Sequence, residues 1–128
     1  MQNWIPFGEG EYLVEEALLV APNQSAVVLE DAVIHIFVDA HGRRQLRGRS
    51  RVRNILMVEL LEDNENFDIV LDLGETFKYR LRRPEIQIGK VFAPDIKSML
   101  KFTPGAPWEP IADSEFEDLR SRLKIISG

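Results

Sequence analysis

A chain of 128 residues, 45% hydrophobic and 29% charged, has the length of one domain and enough apolar material for a core, which excludes a disordered acidic tail. It contains no cysteine, which excludes disulfides, thiolate catalysis and cysteine-held zinc or iron–sulfur centres. The formal net charge of −5 excludes a uniformly basic nucleic-acid binder.

The first eight residues lack a basic segment followed by a long apolar run, and no window approaches the ~18 continuous apolar residues of a membrane span. The expectation is a soluble, cytoplasmic protein. Residues 11–20 alternate and then run into Ala17-Leu18-Leu19-Val20, which predicts a strand. Pro22-Asn23-Gln24-Ser25 signals a turn. Residues 26–38 are rich in Val, Ile and Phe and predict a second strand.

Asp39-Ala40-His41-Gly42 is the next turn, and here the register is predictable. Ile34, Ile36 and Val38 are apolar at even positions. Across the turn the small or apolar positions are Leu46, Gly48, Ser50 and Val52, also even. Like faces align only around an odd loop, so the loop is Ala40-His41-Gly42 with Gly42 left-handed. That sets His35 opposite Arg47, Val33 opposite Arg49 and Asp31 opposite Arg51. A slip of one residue would bury the arginines, which their desolvation cost forbids.

Residues 54–61 read as a continuing strand and 62–66 as a polar loop. Phe67, Ile69, Leu71 and Leu73 then alternate with charged or apolar neighbours, as do Phe77, Tyr79 and Leu81. The same parity argument puts Gly74-Glu75-Thr76 in the loop, Asp72 opposite Lys78 and Asp68 opposite Arg82. Pro84 ends the strand. Residues 85–92 predict a short strand and 94–102 a short helix opened by Pro94. Three prolines make residues 103–110 a stiff connection, with Trp108 as a plug over the core. A final helix is expected from a capping box of Ser114 and Glu117, with Phe116, Leu119, Leu123 and Ile126 as its apolar stripe.

The predicted fold class is mainly β (α+β): an antiparallel meander of six or seven strands, curled into a roll or small barrel, with a C-terminal amphipathic helix. The strands-first, helix-last order is similar to pleckstrin-homology-like rolls, an analogy of architecture that rests on no family motif. The whole chain, 1–128, reads as a single domain, with a β-rich body over 1–92 and a helical C-terminal segment over 93–128.

One stretch departs from an ordinary domain. Residues 43–53 hold six of the eleven arginines and no acid, while the remainder sets twenty-one carboxylates against ten cations. Arg47, Arg49, Arg51 and Arg53 alternate, so a strand aligns them on one face, roughly 6.6–6.8 Å apart. Such a row, with His35 and Phe37 beside it, suits an acidic protein surface or a second copy of the chain. It also suits phosphate groups of nucleic acid or anionic head groups. Only Phe37 could stack a base, which weakens the nucleic-acid reading. His35, Asp39 and His41 are too few for a closed zinc site, and residues 63–68 lack the glycine and closing glutamate of a calcium loop. No nucleophile elbow, metalloprotease or phosphate-loop motif is present. The functional expectation is a non-enzymatic binding or adaptor domain needing no cofactor; a small enzyme with an unrecognised pocket is the last alternative.

Overall fold

Residues 10–36 fold as one long antiparallel hairpin, bent in its middle. Its arms keep a single register from end to end: Gly10 faces Ile36, Leu13 faces Val33 and Val20 faces Ala26. Backbone bonds bridge the bend, from the Val14 amide to the Ala32 carbonyl (3.0 Å) and from the Leu29 amide to the Ala17 carbonyl (2.9 Å). Each strand expected here is therefore two. The first arm gives β1 (Gly10–Leu13) and β2 (Glu16–Val20), and the second gives β3 (Ser25–Val28) and β4 (Glu30–Val38). The corner needs a kink in β4. Asp31 provides it at a φ of 52°, a left-handed conformation that short polar side chains tolerate better than bulky ones.

The computed structural model describes residues 8–56, 66–74, 77–88, 97–104 and 108–126. Within them, β5 (Arg44–Arg53), β6 (Asp68–Asp72), β7 (Lys78–Leu81), β8 (Glu85–Ile88) and β9 (Lys97–Thr103) join the bent hairpin. Two-residue strands β10 (Glu109–Pro110) and β11 (Lys124–Ile125) add to them. The first sheet runs β1-β4-β5-β9-β8 and the second β10-β7-β6-β2-β3-β11. All pairings are antiparallel except β3 with β11. The mainly-β class with a C-terminal helix is as expected. The closed barrel and the simple meander are not: the bent hairpin belongs to both sheets, so β4 sits between β1 and β5 while β2 sits between β3 and β6.

The layers explain the hydrophobic pattern. Ile34, Ile36, Leu46, Val52, Leu100 and Phe102 of the first sheet pack against Leu19, Val27, Ile69, Leu71, Tyr79 and Leu81 of the second. Trp108 closes this core edge-on to Tyr79, 5.0 Å between ring centroids, as the plug reading anticipates. The helix (Asp113–Arg122) covers the other face of the second sheet, where Phe116 meets Leu18, Val20, Ala26 and Val70. Strand β2 is thus buried on both faces, which is why Ala17-Leu18-Leu19-Val20 is an unbroken apolar run. Lys78, nearly buried, bonds the Asp113 carboxylate (3.0 Å) and lies over the Phe116 ring, pinning the helix to the sheet.

Four local expectations are corrected. Residues 97–103 form strand β9, not a helix. Leu100 and Phe102 point inward while Lys97, Met99, Lys101 and Thr103 point out, a period of two that the Pro94 signal obscured. Backbone turns helical at residues 54–56 instead of extending β5; residues 57–61 lie outside the described residues, as do 89–96 and Glu75-Thr76. The helix starts two residues earlier than the Ser114 box, with Ala112 as its cap and Glu115 reaching back to the Ala112 amide. It ends at Arg122, and the Lys124 and Ile126 amides dock on the Gln24 and Ala26 carbonyls. In the second hairpin the register is as expected, Asp72 facing Lys78. However, Asp68 grips Arg80 (2.7 Å), and Arg82 turns to Glu109 (2.8 Å).

Gly48 faces Phe102 across β5 and β9. A Cβ on Gly48 would lie 2.1 Å from Phe102 Cζ, so Gly48→Ala should cost ~1–3 kcal/mol by overpacking. The urea midpoint should fall accordingly, and Phe102→Leu should cost less in the Gly48→Ala background than alone. A neutral Gly48→Ala would contradict the packing.

Alkaline pH should loosen the second sheet. The Asp113 hydrogen bond holds Lys78 above the ordinary lysine value of 10.5, and burial pushes the Tyr79 hydroxyl above 10.0. Both groups bind their protons more tightly folded than unfolded. Their contribution is therefore full below the unfolded values and is lost as pH rises through the folded ones. Melting temperatures from about pH 9 upward should fall in the wild type and fall less in Lys78→Met and Tyr79→Phe; identical slopes would contradict this.

Candidate functional site

Strand β5 places the arginines. Leu46, Gly48, Ser50 and Val52 are buried; Arg47, Arg49 and Arg51 are exposed, and Arg53 is half-buried on the same outer face. The hairpin that aims the strand is the expected one. Gly42 has a φ of 75°, and the Asp39 amide donates to the Arg43 carbonyl (2.8 Å). The Asp39 carboxylate accepts from the amides of His41 (2.8 Å) and Arg43 (3.0 Å) and from Gln45 Nε2 (2.9 Å). These bonds tie Asp39 into the turn, and among the described residues no three His, Asp or Glu side chains converge as ligands.

Around the row, His35 faces Arg47 and Val33 faces Arg49, as expected. Asp31 does not face Arg51. The bulge at the sheet corner turns Asp31 aside and brings Glu30 opposite Arg51. On the other flank lies β9, with Lys101 opposite Arg49, Met99 opposite Arg51 and Lys97 opposite Arg53. Lys97 and Lys101 escaped the sequence reading because a helix was expected there. Their alternation with Leu100 and Phe102 was the signal that could have found them.

The face is cationic and only partly compensated. Glu11 reaches across from β1 to Arg49 (3.3 Å), and Glu30 holds Lys97 (2.8 Å). Arg47 lies over the Phe37 ring, 4.5 Å from its centroid, and His35 sits 5.8 Å from that ring. Phe37 is therefore already stacked and is not a free platform for a base. Arg51 and Lys101 make no ion pair or hydrogen bond among the described residues. Cations stand directly opposite one another twice, Arg49 with Lys101 and Arg53 with Lys97, an arrangement that weakens a sheet.

A depression of about 570 Å³ opens on this face, lined by His35, Arg47, Arg49, Gln87, Lys101 and Thr103 among others. Apolar side chains share the outer face: Leu13, on β1 opposite Val33, is 81% exposed, and Met99 is 46% exposed. Glu15 is exposed beside the corner, while its neighbour Glu16 takes Arg120 (2.8 Å) on the helix. Of the acidic 63–68 stretch, only Asp68 is among the described side chains that pair, with Arg80 and the Arg83 amide. No described helix is long and apolar enough to cross a membrane.

Comparison with known proteins finds no family model, no curated protein and no solved structure that matches the chain.

The Asp39 turn carries a pH signature. The Arg43 amide, then the Gln45 side chain, hold its carboxyl below the ordinary 3.8. A depressed acid stabilises the fold above its unfolded value and stops doing so as pH falls through the folded one. The stability gap between wild type and Asp39→Asn should therefore be largest near neutral pH and shrink as acid is added, in urea titrations at a series of pH values. A gap that is constant with pH would contradict the arrangement.

Proposed function

We propose that this chain is a non-enzymatic docking module that binds an acidic protein surface through the outer face of its first sheet. Arg47, Arg49, Arg51 and Arg53 supply the charge together with Lys97 and Lys101. Leu13, Val33 and Met99 supply apolar contact beside them. The observation that supports this most is Arg49 facing Lys101 across β5 and β9, with Lys101 unpaired among the described residues. A face selected for stability alone would alternate the signs; an anionic partner laid over it relieves the repulsion. Arginine and methionine on one surface also match the composition of protein interfaces better than that of bare solvent-facing sheets. The module belongs in the cytoplasm on this reading, where a cysteine-free chain needs no disulfide.

Three sources of negative charge compete for such a face, and one experiment separates them. A fluorescent Glu/Asp-rich peptide should bind with an affinity that falls as salt rises from 50 to 200 mM, on the order expected for screened ion pairs. Arg51→Glu with Lys101→Glu should weaken it at least about tenfold with the melting temperature unchanged or higher. No binding, or equal binding by the double variant, sinks the proposal. Tighter capture of a single-stranded oligonucleotide or of phosphatidylserine vesicles would move the reading to phosphate recognition. A wild-type dimer in sedimentation that the double variant loses would identify the acidic surface as a second copy of the chain.

A further inference from the structure

Resting on that docking reading, we infer that the depression between β5, β9 and β8 receives a phosphorylated side chain carried by the acidic partner. A carboxylate is satisfied by one guanidinium fork. This depression presents more than that: Arg47 and Arg49 along one strand, Lys101 directly across from Arg49, and the neutral groups of Gln87 and Thr103 on the adjoining strands. A phosphoryl group brings about −1.5 to −2 charges and three acceptor oxygens, which matches three cations and their neutral donors where a single carboxylate does not.

The cations are available for it. Lys101 has no partner among the described residues. Arg47 is steadied from below by the Phe37 ring, which engages the flat of the guanidinium and leaves its N–H edge for hydrogen bonds. Arg49 is held by Glu11 at 3.3 Å, with both side chains about half exposed. An ion pair so solvated is worth little and exchanges readily. Glu11 therefore acts as a weak internal competitor that a dianion displaces. A dianion between Arg49 and Lys101 also turns the repulsion of that cross-strand pair into two attractions, which a monoanion does less completely. Glu85, on the β8 rim, disfavours a second negative group on that side and orients the partner chain toward β4.

The test uses three fluorescent peptides of one acidic sequence whose central residue is serine, glutamate or phosphoserine. The phosphoserine peptide should bind about tenfold tighter than the serine peptide, and glutamate should recover only a small part of the difference. Lys101→Met and Arg49→Gln should weaken the phosphoserine peptide several-fold more than the serine peptide, so that the phosphoserine increment collapses even as both affinities fall; an increment that survives both variants overturns the inference. Arg51→Gln, outside the depression, should weaken all three peptides alike. Glu11→Gln should tighten the phosphoserine peptide a few-fold by releasing Arg49. If the glutamate and phosphoserine peptides bind equally, the phosphoryl inference falls and the docking reading stands. If none of the three binds, the docking reading falls with it. If vesicles containing a phosphoinositide displace the phosphopeptide at lower concentration than the peptide itself binds, a lipid head group is the ligand and the inference is overturned.

Discussion

Arginines at alternate positions cannot be taken out of water cheaply, so β5 has one orientation, and the rest of the first sheet follows from it. With Arg47, Arg49 and Arg51 outward, the inner face is Leu46, Gly48, Ser50 and Val52. Two of these four are small, which leaves the middle of the strand underfilled. The neighbour that fills it is Phe102, whose ring lies against Gly48 so closely that no Cβ fits. Phe102 can reach that position only from a strand laid beside β5, and its own alternation then sends Lys101 and Met99 to the outer face. A single constraint, the period of two on β5, thus builds the core on one side and gathers the cations of two strands on the other.

The bent hairpin decides which face stays open. By passing from the first sheet to the second at Val14–Glu16 and Leu29–Asp31, residues 10–36 give each sheet two strands and stack the sheets on a shared core. The apolar residues left over on the outside of β2 and β6, Leu18, Val20 and Val70, call for a cover, and the helix is drawn there by Phe116 and held by Lys78 and Glu16. The outside of the first sheet has no comparable apolar stripe. Its Leu13, Val33 and Met99 are separated by charges, so nothing in the described chain is driven onto it. The helix goes to the second sheet, and no described element covers the cationic face.

Parity made the two hairpin registers legible. Apolar residues whose positions share one parity on both arms, even in the first hairpin and odd in the second, admit only odd loops, and Ala40-His41-Gly42 and the loop after Leu73 follow without tertiary information. Parity is blind to which sheet a strand belongs to. Residues 26–38 read as one strand because Val27, Leu29, Ile34 and Ile36 are all apolar, and the kink at Asp31 has no signature beyond the adjacent acids Glu30 and Asp31 in that run. The same limit misplaced the partner of Arg51: the bulge substitutes Glu30 for Asp31. Strand β9 was hidden differently. Pro94 and the pair Met99-Leu100 imitate a helix opening, and the alternation Lys97 to Thr103 decides only once β5 is known to need an aromatic beside Gly48. Lys97 and Lys101, two of the six cations of the site, were lost with it.

The cost of that site is written into the pairing of β5 with β9. Arg49 stands face to face with Lys101 where an opposite charge would strengthen the sheet, and the pair Arg49 makes with Glu11 is an exposed one of small worth. Carboxylates in better-buried pairs are employed elsewhere: Asp72 and Asp113 on Lys78, Asp68 on Arg80. Among the described residues the better-buried pairs lie around the second sheet, and Arg51 and Lys101 on the first sheet's outer face make no ion pair. Stability and binding therefore pull position 101 in opposite directions. A glutamate there would answer Arg49 and strengthen the sheet, and it would also place a negative charge on the floor on which an anionic partner must sit.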